Sequence, residues 1–100
     1  MHPPIQIEWT PLAESEARQI HRYIAEDSIG AADRQLDLLF ESIQSLSRFP
    51  GKGRTGRVHG TRELVVPGTP YIVVYRLVDT TIQILSIIHG ARRWPSAFPN

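Results

Sequence analysis

Residues 62–89 read RELVVPGTPYIVVYRLVDTTIQILSIIH. The runs 62–66, 71–77 and 82–89 are rich in β-branched and aromatic residues, as strands are. Pro67-Gly68-Thr69-Pro70 and Asp79-Thr80-Thr81 separate them with turn chemistry. Links this short allow only antiparallel neighbours, so the three runs predict a meander. The middle run, YIVVYRL, is apolar at nearly every position, which suits a mid-sheet strand covered on both faces.

Upstream, the hydrophobic period changes from two to nearly four. Ala13, Ala17, Ile20 and Ile24 form one stripe, predicting a helix over 11–25. Thr10 is placed to cap it, Pro11 suits its first position, Glu14 and Glu16 favour the positive end of its dipole, and Glu14 pairs with Arg18. Ala32, Leu36, Leu39, Ile43 and Leu46 form a second stripe, widened by Leu38 and Phe40, predicting a helix over 31–48. Gly30 reads as the break between the two, which then form an antiparallel hairpin. Before them, residues 5–9 alternate as a half-buried strand. The expected fold is α+β, with order β-α-α-β-β-β and the helical hairpin packed on an antiparallel sheet.

One hundred residues make one small domain, 1–100, with 91–100 as a tail that carries two prolines and no strand pattern. There is no cysteine, which excludes disulfides, thiolate zinc sites and a Cys nucleophile. The opening MHPPIQIEW lacks the basic and apolar regions of a signal peptide. No stretch approaches the roughly 18 apolar residues of a membrane helix. A soluble, cytoplasmic protein with no membrane partner is expected.

The net charge of +1 hides a division. Residues 1–41 hold eight acids and three bases; residues 42–100 hold two acids and eight bases. A polyanion responds to local field, so the basic half suggests a partner rich in phosphate or carboxylate. The 51–60 segment, GKGRTGRVHG, mixes glycine and cation most densely and reads as an exposed, flexible loop. Lys52, Arg54 and Arg57 are its candidate nucleic-acid or target contacts; a solvated turn is the plain alternative. The segment is not a phosphate-binding P-loop, because the GK[ST] ending on a helix is missing.

Arg76 is the odd residue of the central run. Alternation puts it on the face of Ile72 and Val74, where it either opens onto a ligand or snorkels to water or to Glu63. His89, at the end of the last run on the face of Leu85 and Ile87, suits general acid–base work or a structural hydrogen bond. Arg62, Arg92 and Arg93 flank the strands and suit bidentate phosphate contact. His2, His21 and His59 read as unremarkable. No two histidines have metal-ligand spacing, and neither metal nor cofactor is expected.

The hairpin followed by FPGKGRTGR (49–57), GTRELVVPGTPYIVVYR (60–76) and IQILSIIHGARRWP (82–95) resembles the RelE/ParE superfamily of type II toxins. The resemblance runs from about Ile5 to Pro95. It implies a toxin of a toxin–antitoxin module, used for plasmid stabilisation or growth arrest. It also implies a cognate antitoxin that neutralises the toxin and carries the contact with operator DNA. RelE-like members cut mRNA on the ribosome without a metal. For that branch the resemblance would make Arg62, Arg76, His89 and Arg92 catalytic, with Lys52 and Arg54 as loop cations. ParE-like members inhibit DNA gyrase and have no known nuclease site. YIAEDS (23–28), GAADRQ (30–35), GTREL (60–64) and HGAR (89–92) look closer to ParE. No tyrosine follows His89, where several nucleases carry one.

Overall fold

The computed structural model describes residues 5–90 and Phe98. Seven elements follow in order: β1 (Gln6–Trp9), α1 (Pro11–Ala25), α2 (Ile29–Ser45), β2 (Arg54–Thr55), β3 (Arg62–Val65), β4 (Tyr71–Val78) and β5 (Thr81–His89). The two helices lie on one face of a five-stranded sheet of order β1-β5-β4-β3-β2. The α+β class and the helical hairpin match the expectation. No helix among the described residues is long and apolar enough to cross a membrane.

The meander forms as read, with β3–β4 and β4–β5 both antiparallel. At the first turn Thr69 N–H reaches Val66 O at 3.2 Å, and Gly68 takes a φ of 79° that a β-carbon would oppose. At the second, Asp79 sits in the left-handed region with φ 55°, which aspartate tolerates. Two features go beyond the antiparallel expectation. β1 joins the far side of β5 in parallel, so the sheet is mixed. The 51–60 segment also contributes a strand, since β2 pairs with β3.

Each helix starts on a side-chain cap. Thr10 Oγ1 accepts from Ala13 N–H at 3.2 Å and also donates to Ile84 O at 2.8 Å, which fixes the start of α1 against β5. Ser28 Oγ accepts from Ala31 N–H at 3.1 Å, so α2 begins at Ile29 and Gly30 lies in its first turn rather than breaking the chain. A first-turn glycine gives up no interior helix bond, so the cap decides the boundary. α2 stops at Ser45, short of the expected 48. There the backbone tightens to i→i−3 bonds, such as Leu46 N–H to Ile43 O at 3.0 Å.

The stripe Ala32, Leu36, Leu39, Ile43 and Leu46 of the second helix and its end is buried, and all of it but Ala32 joins Ala13 and Ala17 of α1 in the core cluster on the helix-facing side of the sheet. That side presents Leu64 from β3, Val73 and Tyr75 from β4, and Ile82, Ile84 and Ile87 from β5. A second cluster, Val74, Leu85 and Ile88 with Phe98 against it, covers the opposite face.

β5 does not alternate strictly. Val74 pairs with Ser86 and Tyr75 with Ile84, leaving Leu85 as an extra residue. This bulge sends Leu85 to the opposite face from Ile87 and His89, which corrects the single-face reading of those three residues. Groups of α1 and its cap meet the bulge: Thr10 Oγ1 also lies 3.2 Å from Leu85 O, and Glu16 Oε1 accepts from Ser86 Oγ at 2.7 Å and Ile87 N–H at 3.0 Å. From the sequence Glu16 has only the dipole role it shares with Glu14, because the donors it meets exist only through the bulge.

Candidate functional site

The basic 51–60 segment is held against the sheet rather than hanging from it. Tyr75 is fully buried, and its hydroxyl donates to Pro50 O at 2.8 Å while accepting from Gly53 N–H at 2.9 Å. A β-carbon on Gly53 would lie 2.7 Å from the Tyr75 ring and 3.0 Å from Glu63 O, so this contact requires glycine. Arg62 completes the corner by donating from Nη1 to Gly53 O at 2.8 Å. Burial raises the Tyr75 phenol above its ordinary pKa; the Gly53 N–H and the Arg62 charge oppose that shift.

Glu63 organises the outer edge. It sits in mid-strand with only 3% of its surface exposed. Oε1 accepts from Arg54 Nε at 3.2 Å and Nη2 at 3.1 Å; Oε2 accepts from Arg57 N–H at 2.8 Å and lies 3.5 Å from Arg57 Nε. Gly56 closes the hairpin with its N–H on Thr61 O at 2.8 Å, and a β-carbon there would collide with Thr61. Both arginines remain about half exposed. Lys52 Nζ reaches Ser45 Oγ at 3.2 Å. The three loop cations are thus on an ordered edge, with one buried carboxylate among them. From the sequence alone Glu63 stands out only as a possible partner of Arg76. The available signal was an acid inside a strand that is otherwise apolar or basic.

Of the four residues of the nuclease reading, the three that are described, Arg62, Arg76 and His89, are not brought together. Arg62 pairs with Tyr75 across β3–β4 and shares the helix-facing side with Leu64. Arg76 is one residue further along β4, on the opposite face, and donates from Nε to Gln83 Oε1 at 2.7 Å rather than reaching Glu63. His89 pairs with Tyr71 at the other end of β4, its ring edge-on to the Tyr71 ring with centroids 5.7 Å apart. Tyr71 and Tyr75 are four residues apart, so His89 and Arg62 are offset by roughly 13 Å along the strands. Arg92, and Arg93 beside it, lie outside the described residues. His89 instead borders a cleft of about 350 Å³ with Glu16, Gln19, Tyr23 and Tyr71.

The family model for the ParE toxin of the type II toxin–antitoxin system parDE matches residues 7–94. The chain belongs to the ParE toxin family. Two relatives carry toxin names. The putative toxin Y4kP of Sinorhizobium fredii is 36% identical over 90 residues, 90% of this chain and 93% of that protein. Toxin RelE2 of Caulobacter vibrioides is 33% identical over 87 residues, 87% of this chain and 97% of that one. In three dimensions this ParE-family chain is similar to a chain of the chromosomal ParDE toxin–antitoxin system from P. aeruginosa, with TM-score 0.76, 25% identity, and coverage of 85% and 95% of the two chains. It is also similar to a chain of the toxin–antitoxin complex RelBE2 from Mycobacterium tuberculosis, with TM-score 0.60, 26% identity, and coverage of 87% and 99%.

Proposed function

We propose that this type II toxin arrests growth by binding DNA gyrase, not by cutting RNA, and that a cognate antitoxin holds it inactive. The separation of Arg62, Arg76 and His89 carries this reading. Cleavage at a ribose 2′-OH needs a base, an acid and cations around one phosphate, all within hydrogen-bond reach of the reacting atoms. Here two of the candidates occupy opposite sheet faces and the third lies at the far end of the strands. The basic edge with Lys52, Arg54 and Arg57 suits a binding role, because its cations are fixed in place and half open to a partner. The antitoxin is the proposed route to operator DNA, and the cytoplasm the proposed compartment, since gyrase and ribosomes both work there.

The names of two similar proteins, RelE2 and RelBE2, favour a second reading as a ribosome-dependent mRNA endonuclease. One experiment separates the two. The purified chain is added to gyrase with relaxed plasmid, and in parallel to translating ribosomes whose transcript ends are mapped. Inhibited supercoiling with intact transcripts is expected. Cut transcripts with unimpaired gyrase would overturn the gyrase reading and move attention to Arg62 and His89.

A further inference from the structure

We propose that the outer edge of β1 accepts an added strand from a partner protein, an extended segment that alternates aliphatic and basic side chains. Gln6 N–H bonds Thr80 O at 2.9 Å and Thr10 N–H bonds Ile84 O at 3.1 Å, so the even-numbered residues of this stretch point their backbone groups inward to β5. In a parallel ladder alternate residues bond to opposite sides. The N–H and C=O groups of Ile7 and Trp9 therefore face outward, and among the described residues no strand follows β1 in the sheet.

The side chains beside that edge specify what fits. Ile7 and Trp9 turn toward the helices and, with Phe40, Ile43 and Gln44, line a hollow of about 200 Å³. Trp9 and Phe40 meet edge-on at 5.7 Å. Phe40 is 44% exposed and also borders a groove of about 500 Å³ between α1 and α2, where Asp33 and Asp37 lie. A strand added to β1 would run roughly 4.8 Å outside it, placing alternate side chains next to this hollow, where Ile7, Trp9, Phe40 and Ile43 offer apolar contact, and the others next to Gln6 and Glu8. Aliphatic residues suit the first set and basic residues the second. A second copy of this chain is disfavoured, because it would bring Glu8 and the α2 acids of both copies together. The mode is strand addition, in which the backbone supplies affinity and alternate pockets supply selectivity.

A short peptide alternating valine and lysine tests this with neither gyrase nor ribosome present, so its outcome is independent of the gyrase reading. Hydrogen exchange at the Ile7 and Trp9 amides is expected to slow at least about tenfold on peptide saturation, as bonded amides do. Two further peptides, N-methylated on the valine amides or on the lysine amides, block opposite peptide edges; only one should bind. Glu8→Lys should weaken binding roughly fivefold with the fold unchanged by circular dichroism. Equal behaviour of the two methylated peptides overturns the proposal. So does protection at Arg54 and Thr55 in place of β1, or concentration-dependent protection of Ile7 and Trp9 without peptide, which would identify a second copy as the occupant.

Discussion

The two edges of the sheet handle the same backbone problem differently. An edge strand offers unpaired donors and acceptors to any passing chain. β2 is only two residues long, is flanked by glycines that close against Tyr75 and Thr61, and carries Arg54, which with Arg57 just beyond the strand is held on Glu63. β1 is four residues long, carries Glu8 as its one charge, and turns Ile7 and Trp9 into a hollow they share with Phe40, Ile43 and Gln44. The charge division in the sequence thus has a structural counterpart. The acidic half supplies the open edge and the helices beside it; the basic half supplies the guarded edge and the rest of the sheet. A guarded edge suits display of fixed cations to a target, and an open one suits joining to another chain.

The sharpest way to break this contrast is to remove the carboxylate that holds the basic edge. Glu63→Ala takes the acceptor from the Arg57 N–H and from the Arg54 guanidinium. Stripping one partner from a fully buried ion pair costs about 3–5 kcal/mol. Here both guanidiniums are half exposed and can turn to water, so a loss of about 2 kcal/mol is expected. Urea unfolding measures it, and hydrogen exchange at Gly56 and Arg57 should show the edge opening before the rest of the domain. A loss below about 0.5 kcal/mol would mean that the glycine hairpin, not Glu63, holds β2.

This dependence on one buried acid explains what the sequence could and could not disclose. The helices and the meander were legible because the stripe Ala32–Leu36–Leu39–Ile43–Leu46 and the runs at 71–77 and 82–89 each repeat a local period, and local period determines burial. The chain order of elements followed directly. β2 was not legible, because two residues carry no period and the strand exists through contacts with Tyr75, Thr61 and Glu63 that are distant in sequence. The β5 bulge was hidden for a similar reason: IQILSIIH is apolar enough on both faces to disguise a slip at Leu85. That slip determines which side-chain set His89 joins. The basic cluster at 52–57 was legible as charge, but its order and its carboxylate were not. For Arg62, Arg76 and His89 the sequence supplied positions on strands, while their lack of convergence depends on strand register, which no single run contains.

Tyr75→Phe sharpens the comparison from the other end of the same corner. It removes one bond donated to Pro50 O and one accepted from Gly53 N–H while leaving the ring packed. About 1–1.5 kcal/mol of stability should be lost near neutral pH, read by urea unfolding. The pH dependence gives a second readout. The folded phenol has a pKa above the ordinary 10.0, so as pH climbs the unfolded chain releases this proton first. Stability associated with Tyr75 is therefore fully present below about pH 10 and lost as pH rises through the folded value. Tyr75→Phe should flatten this alkaline decline. An unchanged decline would place its cause in another group and leave Tyr75 with a packing role alone.

The smallest expected change in stability tests the open edge. Gln6 is exposed, pairs with Thr81, and projects from the sheet face away from the helices. Gln6→Lys removes no described contact and should change unfolding free energy by less than about 0.5 kcal/mol. It nevertheless gives β1 what β2 already has, a cation beside the edge, and lysine on an edge discourages strand addition. If charge is what distinguishes the edges, the valine–lysine peptide should bind Gln6→Lys several-fold more weakly at an unchanged urea midpoint, and added salt should shrink the difference because the side chains are exposed. If affinity is unaltered, charge is not the discriminator. Length and backbone access would then separate the edges, and the two-residue span of β2 would be its guard, with Arg54 and Arg57 left to the target.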